Sequence, residues 1–135
     1  MKLHIFADGA SRGNPGPSAI AFTIYTVDHE KIWEYTERVG TQTNNQAEYR
    51  ALLAALEYAV EMQAHDVACF VDSELVVKQL SGEYRVRNAT LRRYWEKIRD
   101  VKRRIGTVSV EYLPREHRYI REVDRLANQQ LDEPW

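Results

Sequence analysis

Four carboxylates stand out for the chemistry they could do together. Asp8 sits where a short apolar stretch, Leu3 to Ala7, runs into the Gly-rich turn Asp8-Gly9-Ala10-Ser11-Arg12-Gly13. Asp72 ends a second apolar stretch, Val67 to Val71, and ligand sites of open α/β sheets lie at the carboxyl ends of the strands. If those two strands are neighbours, their carboxylates face each other. Glu48 falls in the second turn of a helix, on the edge that Ala51 and Ala55 bury, and so points at the sheet. Asp124 heads a last helix, beside Val123 and Ala127. Each acid has a local alternative when taken alone: Asp8 as a turn residue, Asp72 as an N-cap, Glu48 and Asp124 as acids that favour a helix dipole. Four converging carboxylates, however, raise one another's pKa or require a cation. Hard oxygen ligands without cysteine select Mg²⁺ or Mn²⁺ over zinc. Two such ions about 4 Å apart are a standard device for in-line attack on a phosphodiester.

The elements that must position these acids follow from hydrophobic periodicity. Three strands are expected first: Leu3 to Ala7, Ser18 to Val27 with Ile20, Phe22 and Ile24 on one face, and Ile32 to Val39 with Trp33, Tyr35 and Val39 on one face. The turns Gly13-Asn14-Pro15-Gly16-Pro17 and Asp28-His29-Glu30-Lys31 are short enough for antiparallel neighbours. Thr43 and Gln46 then form a capping box before a helix carrying Ala47, Ala51, Ala55, Tyr58 and Met62. After the strand Val67 to Val71, Asp72-Ser73 caps a short helix to about Leu80. Leu91, Tyr94, Trp95, Ile98, Val101 and Ile105 recur at helical spacing before Gly106. A strand Val108 to Leu113 and a helix marked by Val123, Leu126, Ala127 and Leu131 complete the chain. Strands reached through helices run parallel to their sheet neighbours. The expectation is a mixed five-stranded α/β sheet, three antiparallel strands then parallel ones, with helices on both faces.

Composition limits the partners. The 135 residues are 44% hydrophobic and 29% charged, which fits one ordinary globular domain over residues 1–135 and excludes a disordered chain. No apolar run approaches a spanning helix, and Met1-Lys2-Leu3-His4 lacks the layout of a signal peptide. A cytoplasmic protein with no membrane association is expected. Cys69 is the single cysteine, so no disulfide or cysteine metal site forms within the chain. The net charge of −1 argues against a general polyanion binder. Its distribution does not, because residues 78–104 carry ten basic and three acidic side chains, leaving the remainder at −8. That basic segment keeps nucleic acid open as a partner.

Four ordered blocks carry a resemblance. Asp8-Gly9-Ala10-Ser11-Arg12-Gly13-Asn14-Pro15-Gly16, Thr43-Asn44-Asn45-Gln46-Ala47-Glu48, Asp72-Ser73-Glu74-Leu75-Val76 and Glu122-Val123-Asp124-Arg125-Leu126-Ala127-Asn128 look like type 1 ribonuclease H. The family implies a divalent-metal endonuclease that cuts the RNA strand of an RNA/DNA hybrid and leaves 3′-hydroxyl and 5′-phosphate ends. Carried over by motif, Asp8, Glu48, Asp72 and Asp124 would ligate two Mg²⁺ (or Mn²⁺) ions with substrate bound. One ion would activate the attacking water, the other stabilise the leaving 3′-oxygen. His117, in the loop before the last helix, resembles the family's mobile histidine, which assists proton transfer or product release. Telling RNA from DNA requires contacts to the 2′-hydroxyl across a shallow minor groove, which Asn14, Asn44, Asn45 and the Gly9 backbone could supply. Thr43 resembles a phosphate contact for the DNA strand, with capping as its main task.

The chain departs from its relatives in places. Glu74 stands where many carry Gln, and Arg118 to Val123 lengthens the run between His117 and Asp124. The short Leu80-Ser81-Gly82-Glu83-Tyr84-Arg85 connection leaves no room for a separate basic handle helix. Arg85, Arg87, Arg92 and Arg93 could replace it electrostatically. A monomer is expected, with no obligate protein partner and no amino-terminal hybrid-binding domain. The competing readings are a nuclease of the same fold acting on another substrate, such as double-stranded RNA, and a non-cleaving nucleic-acid binding module.

Overall fold

The computed structural model describes residues 2–133, so the expectations that touch Met1 and the Pro134-Trp135 end of the tail lie outside the described residues. Three strands open the fold: β1 (Lys2–Ser11), β2 (Gly16–Thr26) and β3 (Lys31–Gln42). Helix α1 (Asn44–Glu61), strand β4 (Asp66–Val71), helices α2 (Glu74–Leu80) and α3 (Ala89–Ile105), strand β5 (Thr107–Tyr112) and helix α4 (Arg118–Asp132) follow. The sheet order is β3-β2-β1-β4-β5. β1 pairs antiparallel with β2, and β2 with β3, whereas β4 runs parallel to both β1 and β5. This is the expected mixed sheet.

The two faces are buried by different helices. Leu3, Ile5, Ile20, Phe22 and Ile24 point to the side covered by α1 and α3, where they meet Leu52, Leu56 and Ile98. Phe6, Ala21 and Tyr25 point the other way, against Ile120, Val123, Leu126 and Ala127 of α4. Strand β2 is therefore buried on both faces, although its sequence alternation suggested one. Removing a Leu, Ile or Phe side chain of this kind from water is worth about 1.5–3 kcal/mol.

Caps set the helix limits. Thr43 Oγ accepts from the Gln46 N–H at 3.1 Å, and the Thr43 N–H donates to Gln46 Oε1 at 2.9 Å. These two bonds complete the expected capping box. Asn88 caps α3, and Gly106, at φ 113°, ends it where a side chain would be strained.

Two expectations are corrected. Asp8 does not begin a turn: β1 continues to Ser11 because Asp8, Gly9, Ala10 and Ser11 pair with Ala21, Ile20, Ala19 and Ser18. The antiparallel partner overrides the low strand preference of Asp and Gly. Asp124 does not head α4, which starts at Arg118, six residues earlier; Ile120, three before Val123, extends the buried stripe. His117 lies in the loop before α4, as expected, and also caps the helix, its Nδ1 accepting from the Tyr119 N–H at 3.2 Å.

Gly9 governs how closely the two layers approach. A Cβ there would lie 2.3 Å from the carbonyl carbon and oxygen of Ala47 and 2.6 Å from the Glu48 nitrogen. Only hydrogen fits between β1 and the first turn of α1. Gly9→Ala is expected to cost about 1–3 kcal/mol of stability, as overpacking against backbone does; urea unfolding of the variant and parent measures it, and an unchanged midpoint would contradict the contact.

Candidate active site

The acids are assembled from two strands of the sheet and one helix on each face. Phe6 of β1 pairs with Phe70 of β4. Two residues further along each parallel strand stand Asp8 and Asp72, on the same face as those rings. Glu48 reaches them from the first turns of α1, held close by Gly9. Single carboxylate oxygens of Asp8, Glu48 and Asp72 lie within 4.8 Å of one another. Asp124, from α4, is close enough to hydrogen bond with Asp8, which also shares a hydrogen bond with Asp72. Asp8 is 6% exposed.

Burial and then crowding raise the carboxyls of Asp8, Glu48 and Asp72. Burial, followed by the charges of Asp72 and Asp124, pushes the Asp8 carboxyl well above the usual carboxylate range. Burial also raises Glu48, to about 7, and Asp72 adds to that while a hydrogen bond with Ser73 and the Arg115 charge oppose it. Asp72 is raised by burial and held back by Arg115. A cluster of oxygen donors that holds protons in this way suits a hard divalent cation, which would replace those protons with its own charge.

Supporting residues escaped the sequence reading. Arg115 Nε stands 3.9 Å from Asp72 Oδ2 at the mouth of the site. Its backbone is anchored on both sides, by Leu113 N–H to Val71 O at 2.9 Å and by His117 N–H to Pro114 O at 3.0 Å. Ser73 caps α2 through Val76 N–H while bonding Glu48. Asn128 Nδ2 donates to the carbonyl of Asp124 at 2.9 Å and to its Oδ1 at 3.3 Å, fixing that carboxylate. The spacing of four between Asp124 and Asn128 was the one available signal, since it puts both on one face of a helix. Arg115 had none, as its approach to Asp72 depends on the β4–β5 pairing.

The expected substrate residues divide into two groups. Gly9, Asn14, Thr43, Asn44 and Asn45 gather around the start of α1: Asn44 N–H donates to Asn14 Oδ1 at 3.0 Å, so Asn14 pins the helix entrance. Among the described residues, the side-chain amides of Asn44 and Asn45 have no hydrogen-bond partner. Arg85 and Arg87 are exposed on the α2–α3 connection, at the far end of α2 from Asp72 and roughly 10 Å of helix away. Arg85 lines a groove there with Tyr84, Arg92 and Trp95. The Trp95 ring has the Arg92 and Arg99 guanidinium carbons 4.7 and 4.9 Å from its centre. Glu74 is exposed at the start of α2.

This order of strands, with acids meeting at the ends of two parallel neighbours, defines a ribonuclease H-like domain. The family described as Reverse transcriptase-like matches residues 6–130. The chain is 39% identical over 132 residues to ribonuclease HI of Halobacterium salinarum, and 38% identical over 133 residues to a bifunctional protein of Mycobacterium tuberculosis. Each alignment takes in 98% of this chain but only 65% and 36% of those relatives' own lengths. The crystal structure of RNase H1 from H. salinarum covers 99% of this chain and 100% of its own, with a TM-score of 0.94 at 38% identity. LC11-RNase H1, solved in complex with RNA/DNA hybrid, covers 96% of both chains with a TM-score of 0.89 at 34% identity. The chain belongs to the type 1 ribonuclease H family.

The raised acids make stability depend on pH in a defined direction. The folded protein holds its Glu48 proton to about pH 7, whereas the unfolded chain releases it near 4.5. Metal-free stability is therefore greatest below the unfolded value and declines as pH rises through that window. Glu48→Gln is expected to flatten the decline between pH 5 and 8 by on the order of 2 kcal/mol, as is millimolar Mg²⁺ added to the parent. Urea denaturation with EDTA or Mg²⁺ at both pH values checks this; equal slopes in parent and variant would refute it.

Proposed function

We propose that this chain hydrolyses the RNA strand of RNA/DNA hybrids endonucleolytically, leaving 3′-hydroxyl and 5′-phosphate ends, with Mg²⁺ or Mn²⁺ as cofactor and two ions per site when substrate is bound. The observation that carries the reading is the convergence of Asp8, Glu48 and Asp72 within 4.8 Å, with Asp124 alongside, on a scaffold that matches the LC11-RNase H1 hybrid complex at a TM-score of 0.89. Asp8, Glu48, Asp72 and Asp124 would hold the ions. When bound, these supply Lewis-acid stabilisation of the charge that develops on the scissile phosphate and promote loss of a proton from the attacking water.

The remaining residues bind and orient. Asn44 and Asn45 precede Glu48 by four and three residues, so a 2′-hydroxyl held by their amides would lie beside the acids, with the Gly9 backbone and Asn14 as further partners. Thr43, engaged as a cap, offers its remaining hydrogen-bonding capacity to the DNA strand, and Arg85 and Arg87 extend the contact along the phosphates. His117 accepts at Nδ1, which places the proton of the neutral ring on Nε2. The ring would then serve as a donor to a phosphate oxygen during product release. The reading extends to a single domain over residues 1–135, acting in the cytoplasm as a monomer without an obligate protein partner. In its support, one sheet joins every described strand, no helix among the described residues is long and apolar enough to cross a membrane, and Cys69 is a buried free thiol.

The decisive test is cleavage of matched RNA/DNA, RNA/RNA and DNA/DNA duplexes with and without Mg²⁺. Metal-dependent cutting of the hybrid alone is expected, lowered about a thousandfold or more in Asp72→Asn. Near-normal turnover of that variant at saturating Mg²⁺ would break the carboxylate assignment. Preferred cutting of RNA/RNA would transfer the activity to double-stranded RNA.

A second variant separates binding from positioning. Replacing Asn44 and Asn45 together by Ala should lower single-turnover cleavage of the hybrid by roughly ten- to a hundredfold, while affinity, dominated by phosphate contacts, changes much less. Thr43 keeps α1 capped, which circular dichroism would verify. Unchanged cleavage in the folded variant would move RNA recognition to Asn14 and Gly9.

A further inference from the structure

A cavity of about 200 Å³ opens on the α4 side of the sheet, beside the carboxylates, and of its lining residues only His117 has a role described so far. Its floor is the stacked pair Phe6 and Phe70, with ring centres 5.2 Å apart and planes 20° from parallel. These rings precede Asp8 and Asp72 by two residues on the same strand faces, which puts the floor roughly 7 Å from the acids. Tyr119 forms one wall, 4.9 Å from Phe6, and His4, His29 and His117 complete the lining. Outside the lining residues, the exposed Arg118 reaches over the Tyr119 ring, its guanidinium carbon 4.8 Å from the ring centre. Arg118 forms no ion pair among the described residues.

Flat rings below, imidazoles that can donate or accept at the edge, and a guanidinium over the Tyr119 wall match the parts of one kind of ligand: a planar heterocycle joined to a phosphate. Stacking on aromatic side chains accepts any base, and a guanidinium binds phosphate in a fork geometry. The volume suits a single base and excludes a base pair. We infer that this cavity binds one unpaired nucleotide, its base on Phe70 and Tyr119 and its 5′-phosphate on Arg118. The same chemistry is offered by a free nucleoside monophosphate and by an unpaired, 5′-phosphorylated end of an RNA strand; the second source rests on the hybrid-cleaving function proposed above.

The test begins without metal or hybrid, so that it does not depend on cleavage. AMP, adenosine and ribose 5-phosphate are titrated into the free chain in EDTA and followed through the aromatic ring protons by NMR. AMP should shift the Tyr119 and Phe70 ring signals, adenosine should bind roughly tenfold more weakly, and ribose 5-phosphate should leave those rings unmoved. Arg118→Ala should bring AMP down to the affinity of adenosine. Tyr119→Ala should abolish the ring shifts. Because Tyr119 packs on Tyr25 and Phe6, His29→Ala at the exposed rim serves as a second variant, expected to weaken AMP several-fold with the fold intact. Absence of ring shifts at millimolar AMP in the parent, or equal AMP affinity in parent, Arg118→Ala and His29→Ala, overturns the site. A hybrid with one unpaired 5′-phosphorylated ribonucleotide is then compared with a blunt one: tighter binding of the overhang, lost in His29→Ala, supports the strand end, and equal binding rejects that source while the mononucleotide site stands. If AMP binds and no duplex is cut, the cavity is confirmed and the hybrid-cleaving function fails.

Discussion

The structure depends on keeping several like charges closer together than they would remain in water. Asp8 is buried against Asp72 and Asp124, with Glu48 close by, and its carboxyl is pushed up first by burial and then by the neighbouring charges. The overlying parts of the molecule serve that one constraint. The parallel pairing of β1 with β4 brings two acids to one point, the missing side chain at Gly9 lets α1 bring the third, and α4 brings the fourth from the opposite face. Arg115, Ser73 and Asn128 then fix or partly neutralise individual carboxylates. A cation joining such an arrangement would offset its charge, and the stability of the domain would then follow the occupancy of the site.

Helix α1 shows how local chemistry and function share the same residues. Thr43 and Gln46 satisfy the free backbone groups at its start, and Asn14 adds a third bond from the β1–β2 turn. A helix entrance held from two directions has little freedom to move, so Glu48 one turn later is fixed relative to Asp8 before any ligand arrives. The amides of Asn44 and Asn45 are left over from this arrangement, with no hydrogen-bond partner among the described residues. In preorganised sites the ordering cost is met during folding and need not be met at binding.

Much of this was legible in the sequence where short-range signals dominate. The capping box at Thr43, the stripe from Leu91 to Ile105 and the stop at Gly106 all appear in the structure, because each depends on residues within a few positions of one another. Errors arose where distant pairing decided the outcome. Asp8 and Gly9 read as a turn, yet β2 holds them in a strand. Asp124 read as the head of α4 because the stripe was counted from Val123, and Ile120, which packs with Phe6 and Tyr25, was overlooked. The acids themselves were legible as residues, but their convergence needed the adjacency of β1 and β4, and the approach of Arg115 needed the whole path of the chain around β5.

The uneven charge of α3 and the loop before it has a consequence at distances where no contact exists. With a net charge of −1 overall and +7 in residues 78–104, the domain has almost no monopole but a large electric dipole. A polyanion exerts little net pull on such a molecule from afar and instead exerts a torque, turning the basic helix towards itself within about a Debye length of 8–10 Å. Encounters thereby become oriented before they become close. Collisions that begin with the acidic faces forward are rotated or rejected, and the fraction of productive encounters rises without any gain in the strength of the final complex.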